Sequence, residues 1–516
     1  MTVAGPTAAA IAELFGQELE DEEFDEHRSF FKAGGDSLAA LRVLAAIEGR
    51  HAVKVPLVEL FAHHTPQGLA DRIVELHRGA GQARTRGPAG RRVPLALQQR
   101  AVFEMDQRIG GPGMFNTVMQ FKLAGDVDPV AVRQTLQDLV TRHSALRSRF
   151  EVTTSGPTQH TVDTPVEIRE LDFTRAGTGK LGRFGQLAHL TGFDLSRECI
   201  RLALVRTAAD AWTVLMTIHH VVVDGMSVGL LIEEFADGYR RRIEGDEPLE
   251  PLELEYVDFA EWQSEALVGP RLVGHLDYLR HTLASPAAEI AQASARTYRS
   301  VIESFEVTRQ VTEGLLRSAV EQDTTLFVVL AAAVSHFGRN RTGSDQQSMM
   351  VQAANRTWPG TDRMVGYFST SLPLAVDLHD VTRPDAVVVR ARSAVSDALA
   401  HEELPLEEGL RLLAAQGQAV PELFLPQLAF ALQPPDMDVI ELPGCRMQAV
   451  PVPQPDLVID PTNFALVLEL ASHEGGLRGL THRPEEAWAH GGFDAVREQL
   501  LDCIGEFGQL PAARGL

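Results

Sequence analysis

The stretch TIHHVVVDGMSVGLL, residues 217–231, decides how the chain is read. Its first half closes an apolar run, AWTVLMTIHHVVVDG at 211–225, that reads as a buried strand ending at an Asp-Gly turn. Its second half leads into VGLLIEEFADGYRRRI at 228–243, whose apolar spacing is helical. Side chains alternate along a strand, so His219 and His220 face opposite ways. One looks toward a cleft and the other is hydrogen-bonded inside; the alternation does not say which.

Several chemistries compete for these residues. In the plainest, the histidines are satisfied core groups and Asp224 and Gly225 only make a turn, Gly225 supplying the positive φ. A metal site of His219, His220 and Asp224 is disfavoured: adjacent strand histidines diverge, and no Cys/His cluster lies nearby. A hydrolase is suggested by GMSVG, a GxSxG match that makes Ser227 the nucleophile of a thioesterase. That reading leaves His-His-Asp unexplained, and Ser227 also suits the N-cap of the following helix.

Working outward, MQFKLAGD (119–126) alternates and then turns, and PVAVRQTLQDLVTRHSALRSRF (129–150) is an amphipathic helix running toward a strand. The later half has comparable content: TEGLLRSAVEQDTTLFVVLAAAVSHFG (312–338), strands near 347–354 and 426–432, and NFALVLELAS (463–472). Two α/β halves on one long segment imply a cleft between them. The longest apolar run, LFVVLAAAV at 326–334, is too short to span a bilayer and reads as a buried helix.

The first 78 residues read differently, as a small helical unit. TAAAIAELFGQEL (7–19) places Ile11, Leu14, Phe15 and Leu19 on one face. SLAALRVLAAIEG (37–49) turns Leu38, Leu41, Leu44 and Ala45 inward, with Gly49 as its stop. A last helix starts from Thr65 as N-cap and Pro66, and ends at Gly79. GAGQARTRGPAGRR (79–92) follows, rich in Gly and Arg and without hydrophobic periodicity, as expected of a flexible linker.

The chain has 516 residues and a formal net charge of -23, which makes nucleic acid and anionic membrane poor partners. Cys199, Cys445 and Cys503 are isolated thiols, an arrangement that fits a reducing, cytoplasmic setting. The opening MTVAGPTAAA lacks the basic flank of a signal peptide.

IHHVVVDGMS resembles the HHxxxDG motif of condensation domains of nonribosomal peptide synthetases. The resemblance runs through 93–516: PLALQQRAVFEMD resembles the opening motif, and RHSALRSRF the RHxxLRxxF motif. YVDFAEW, MVGYFSTSLPL and HEELPLEE resemble three later motifs in the family's order. Residues 1–78 resemble a peptidyl carrier domain, through GGDSL after FF at 30–31. The resemblance implies a four-helix carrier (1–78), a flexible linker (79–92) and an α/β condensation domain. That domain would consist of two chloramphenicol-acetyltransferase-like lobes in a V, 93–267 and 268–516. It further implies 4′-phosphopantetheine on Ser37, which a helix N-terminus suits. His220 would face the reacting amine, with His219 inside. Asp224 would pair with an arginine and hold the loop, Arg356 before Arg142 and Arg147, and Gly225 would let backbone approach the reacting centre.

The chain departs from the family where Thr370 replaces an Asn, where Glu402 and Glu403 replace Gln-Asp, and where Ala465 replaces an acid. Glu402, Glu403, Glu407 and Glu408 read as a helix start with a charged outer face. The expected reaction is amide-bond formation with an aminoacyl group on a downstream carrier. A phosphopantetheinyl transferase, coenzyme A and an upstream adenylation domain are implied as further partners. An epimerisation domain shares HHxxxDG and follows a carrier; VGYFSTSLPL leans that way, while YVDFAEW and HEELPLEE lean to condensation.

Overall fold

The computed structural model describes residues 6–21, 23–35, 37–51, 55, 59–60, 63–77, 86–109, 113–154, 156–175, 179–284, 300–358, 360–420, 425–433, 439–450, 452, 464–473, 475–484 and 493–510. The N-terminal unit contributes α1 (Ala8–Glu18), α2 (Ser37–His51) and α3 (Pro66–His77). Thr7 caps α1, and Thr65 Oγ1 accepts the Gly68 N–H at 3.2 Å at the start of α3. Ile11, Phe15, Phe30, Val43, Ile47 and Ile73 fill the core, with Phe15 and Phe30 meeting edge to face at 4.8 Å. Two expectations fail here. Gly49 lies inside α2, not at its end, and Ala45 is only half-buried because Ala40, Val43, Leu44 and Ile47 form the inward face. Asp36, Gly79 and the side chains of Ser37, Leu38 and Leu41 lie outside the described residues.

The second half of the expected flexible linker is not free. Gly87 N–H donates to Asp258 Oδ1 at 2.9 Å, Arg91 pairs with Asp258 at 2.5 Å, and Arg86 pairs with Glu255. Glu255 and Asp258 form the capping box of a later helix, so basic side chains meet the acidic groups already gathered at that helix start.

From there the chain continues with β1 (Val93–Pro94), α4 (Leu97–Ile109), β2 (Asn116–Gly125), α5 (Pro129–Arg142), β3 (Ser148–Thr153), β4 (Gly156–Thr161), β5 (Ile168–Asp172), α6 (Gly179–Leu190), β6 (Ile200–Ala208), β7 (Ala211–His219), α7 (Gly225–Glu244), α8 (Tyr256–Ala266) and α9 (Gly269–Thr282). The later half contributes β8 (Ser300–Val307), α10 (Arg309–Glu321), α11 (Leu326–Thr342), β9 (Gln346–Ala353), β10 (Thr370–Asp377), α12 (Pro384–Leu399), α13 (Leu406–Ala415), β11 (Leu428–Gln433), β12 (Ile440–Leu442), β13 (Cys445–Ala449), β14 (Leu466–His473), β15 (Gly476–Pro484) and α14 (Phe493–Phe507).

Two six-stranded mixed sheets result, ordered β12-β13-β2-β7-β6-β5 and β10-β9-β11-β14-β15-β8. The strand β7 lies between β2 and β6 and is buried along almost its whole length, as its apolar run requires. The helix α11 is buried all round from Val328 to Gly338 and anchors the second core. The halves are not separate in topology: the hairpin β12–β13, from the later half, crosses back and pairs with β2 of the first sheet. The site lies where the end of β7 meets the segment just before β10.

Replacing Asp258 by Ala removes an acceptor for Gly87 and Arg91 and half of the capping box. Stability should fall by about 1 kcal/mol. Trypsin should cut after Arg86 and Arg91 faster than in the wild type.

Candidate active site

The two histidines at the end of β7 differ in environment. His219 is 2% exposed and lies between the rings of Phe115 and Phe193, each at 6.0 Å. Its Nδ1 accepts the Val221 N–H at 3.1 Å, so the neutral ring carries its proton on Nε2, 3.4 Å from the Asp106 carboxylate. His220 is half-buried, starts a short 3₁₀ turn, and meets the Tyr367 ring edge-on at 5.0 Å. Its Nδ1–H donates to the Val223 carbonyl, which can only accept. The Nε2 lone pair is therefore left free in the neutral ring. Burial lowers the His220 pKa, against the opposing pull of the Val223 carbonyl and Asp224, and so favours that neutral form.

Distant parts of the chain hold this turn. The His220 N–H donates to Phe115 O at 2.7 Å, and Gln99 Nε2 donates to Val221 O at 2.8 Å. Gln159 Nε2 in turn donates to Gln99 Oε1 at 2.7 Å.

Asp224 is buried and joins the two halves. It caps α7 by accepting the Ser227 N–H at 2.8 Å. Its Oδ2 accepts the N–H groups of Phe368 at 3.0 Å and Ser369 at 3.2 Å, and its Oδ1 lies 3.0 Å from Arg356 Nη2. Burial, the largest effect on this carboxyl, pushes its pKa up. The Arg356 charge and the Ser227 and Phe368 donors outweigh it and hold the pKa below the usual value. Arg356 also donates to Met364 O at 2.8 Å and to Ser227 Oγ at 2.8 Å, and lies over the Phe368 ring at 4.3 Å.

The other arginines are engaged elsewhere. Arg142 pairs with Glu234 at 3.1 Å. Arg147 binds carbonyls of Val140 and Val162 and the Asp163 carboxylate within its own half.

Ser227 is not a nucleophile. It is fully buried; its hydroxyl donates to Gly366 O at 2.8 Å and accepts from Gly366 N at 3.1 Å and from Arg356. Among the described residues no base is aimed at it, so the thioesterase reading is corrected. Nor is Ser227 the N-cap, since Asp224 takes that role. Gly225 likewise does not supply a positive φ; it is the first residue of α7, and a Cβ there would meet nothing within 4 Å. Gly225 is exposed and opens onto free space.

Other motifs act as supports. His143 Nδ1 accepts the Val365 N–H at 3.4 Å while its Nε2–H donates to Glu234 at 2.6 Å. Tyr256 donates its hydroxyl to Tyr367 O at 2.5 Å. A Cβ on Gly366 would lie 1.9 Å from the Tyr256 ring, so this close approach needs glycine. The acidic run is only in part an outer face: Glu402 is buried and accepts the Asn355 N–H at 3.2 Å, and Glu408 is buried against Arg411. Glu403 pairs with Arg271 at 2.5 Å. Glu407, in the first turn of α13, is exposed as expected. Gln99, His143 and Tyr367 were missed as individual site residues, although each falls inside a quoted motif.

Ser37 opens α2. Gly34 before it has φ 98, and a Cβ on Gly35 would strike the Phe30 ring at 2.3 Å, so the two glycines shape a tight entry to the helix. The free N–H groups of a helix start suit a phosphodiester, and the residues fit 4′-phosphopantetheine.

The condensation-domain family model matches residues 91–487, and the phosphopantetheine attachment site model matches 8–73. The chain belongs to the condensation-domain family, with a carrier domain ahead of the condensation domain. It is 28% identical to malpinin synthetase of Mortierella alpina over 92% of this chain and 6% of that protein. It is 26% identical to a probable non-canonical nonribosomal peptide synthetase of Salinispora arenicola over 99% of this chain and 7% of that protein. The chain thus spans less than a tenth of either. The first condensation domain of the calcium-dependent antibiotic synthetase shares the fold with a TM-score of 0.66 at 20% identity, covering 83% of this chain and 98% of that one. The X-domain from teicoplanin biosynthesis does so with 0.69 at 21%, covering 84% and 98%. No helix among the described residues is long and apolar enough to cross a membrane.

Arg356→Ala leaves the buried Asp224 carboxylate unpaired and should lower stability by about 3–5 kcal/mol, read from urea midpoints. The folded pKa of Asp224 is depressed, so its contribution is present above the unfolded value of about 4 and is lost as pH falls below it. The stability gap between wild type and Asp224→Asn should therefore narrow on acidification below that pH.

Proposed function

We propose that the chain forms an amide bond between an acyl or peptidyl donor held on its own carrier and an aminoacyl group brought by a separate downstream carrier. The observation that carries this reading is His220: its Nδ1–H is committed to the Val223 carbonyl, so a lone pair on Nε2 is available beside Tyr367. When bound at Ser37, 4′-phosphopantetheine supplies the thiol that holds the donor as a thioester. The acceptor amine attacks the thioester carbonyl; the C–N bond forms and the C–S bond breaks. His220 Nε2 takes the amine proton and returns it to the departing sulfur.

The base has modest work to do. Deprotonating an α-amine of pKa about 7.7 at pH 7 costs about 1 kcal/mol. Alignment of two tethered reactants contributes up to about 7–11 kcal/mol. His220 therefore serves as positioner and proton carrier together, with His219 fixing the strand end behind it. The Gly225 N–H, at the first position of α7, has no acceptor within the helix and is the donor we assign to the charge that develops on the carbonyl oxygen. Asp224 and Arg356 act through the loop they hold, without touching substrate.

A phosphopantetheinyl transferase with coenzyme A would modify Ser37, and an upstream adenylation domain would load it. Cys199, Cys445 and Cys503 are buried free thiols, in keeping with a reducing cytoplasm.

Intact-protein mass spectrometry tests the reaction. With an acyl-pantetheine loaded on Ser37, the acyl mass should move to a separate aminoacyl carrier, and His220→Ala should slow transfer by about 10²–10⁴-fold. Solvent deuterium entering the donor α-carbon without transfer would instead identify an epimerase. Because the pKa of His220 is lowered, it is already neutral below its ordinary value. The acid limb of the rate should therefore follow the acceptor amine, near about 7.7, and shift when the acceptor's amine pKa is changed.

A further inference from the structure

The turn between α10 and α11 presents an acidic residue on an unusual backbone. Asp323 has φ 53, in the left-handed region that disfavours a residue with a Cβ. The turn is braced from its own half. The Thr324 N–H donates to Ala319 O at 2.9 Å, and Arg392 on α12 donates to the carbonyls of Gln322 at 3.2 Å and Asp323 at 3.4 Å. The carboxylate is taken up by the N-terminal helical unit. Ser29 Oγ donates to Oδ1, His64 Nε2 lies 3.4 Å from Oδ2, and Lys32 Nζ lies 3.9 Å from it. Groups from two separate segments of the carrier thus converge on one side chain that is only 16% exposed. A second contact lies on α2, where Glu48 Oε1 accepts the Gly360 N–H at 3.2 Å. Gly360 follows Arg356 in the same loop.

We propose that Asp323 and the Gly360 N–H form the seat on which the chain's own carrier docks to deliver its donor, with Asp323 as the recognition residue. The proposal rests on the condensation reading. Ser37 starts the helix whose later part carries Glu48, about 16 Å away at helical rise. Docking therefore fixes the root of the donor arm about 16 Å along α2 from its contact with the loop that holds Arg356. The contacts among the described residues are polar, which suits a carrier that must also visit other partners. They suffice because the carrier cannot diffuse away. Residues 78–85 tie α3 to the strapped Arg86, a reach of at most about 30 Å. The seat therefore meets the carrier at an effective concentration in the millimolar range for a linker of that order.

The test uses the full chain with Asp323→Asn and Asp323→Gly, both of which tolerate the left-handed backbone. Transfer from a donor loaded on Ser37 should fall about five- to tenfold, the scale of losing a small set of polar contacts. Turnover of the same acyl group supplied as a free pantetheine thioester should stay within about twofold of wild type by the same argument. Adding Ser29→Ala to Asp323→Gly should bring no further loss, since the glycine has already removed the acceptor of the Ser29 hydroxyl. Equal loss with both donors, or no loss from Ser37, overturns the proposal. Wild-type turnover of the free thioester reports the condensation reading separately. Hydrogen exchange reads docking without any turnover: amides of 29–35 and 319–325 should exchange faster in Asp323→Asn, and unchanged exchange sinks the seat.

Discussion

The ion pair between Asp224 and Arg356 is the constraint on which the site depends. Two buried charges 3.0 Å apart, on elements far apart in sequence, tie the start of α7 to the loop after β9. Such a pair is expensive to bury and expensive to break, so its retention is better explained by what it positions than by net stability. Each oxygen of Asp224 has a separate task. One takes the arginine and the helix start; the other takes the backbone N–H groups of Phe368 and Ser369. Tyr367, which faces His220, immediately precedes those two amides and is placed by them.

Adjacent residues acquire opposite properties here through hydrogen bonding alone. His219 accepts a backbone N–H on Nδ1 and His220 donates to a carbonyl from Nδ1. The two rings are thus held in opposite tautomers, one turned inward toward Asp106 and one with its basic nitrogen free. The difference arises because the strand ends at His219 and the backbone enters a 3₁₀ turn at His220, which brings the Val223 carbonyl back over the ring.

Periodicity made the α/β halves legible, because β7 and α11 are buried on nearly all sides and leave long apolar runs. Alternation also showed that the two histidines diverge, and the family resemblance implied an arginine partner for Asp224, with Arg356 favoured ahead of Arg142 and Arg147. The crossover of β12–β13 left no local signal, since pairing with β2 is a long-range property of short strands. Helix boundaries misled in two places. Gly49 and Ser227 both resemble helix ends by type, yet α2 runs past the first and Asp224 starts α7 before the second. The strapping of Arg86 and Arg91 was hidden because Gly- and Arg-rich composition reports local preference and not the acidic helix start it meets.

The fate of Ser227 shows why a short motif must be read with its surroundings. The residue sits after a strand and at the start of a helix, as a nucleophile would, but its hydroxyl is enclosed by Gly366 and Arg356. The same helix start that could have activated a serine is already capped by Asp224, whose charge would oppose a developing alkoxide nearby. What the helix start leaves open is the backbone around Gly225, where no side chain intrudes. A site with a free imidazole nitrogen, an exposed Gly225 at the helix start and no available nucleophile among the described residues is suited to direct transfer between two bound reactants. It is not suited to a covalent enzyme intermediate. That requirement places the burden of rate on delivery and alignment, and it explains why so much of the chain is given to holding loops and not to touching substrate.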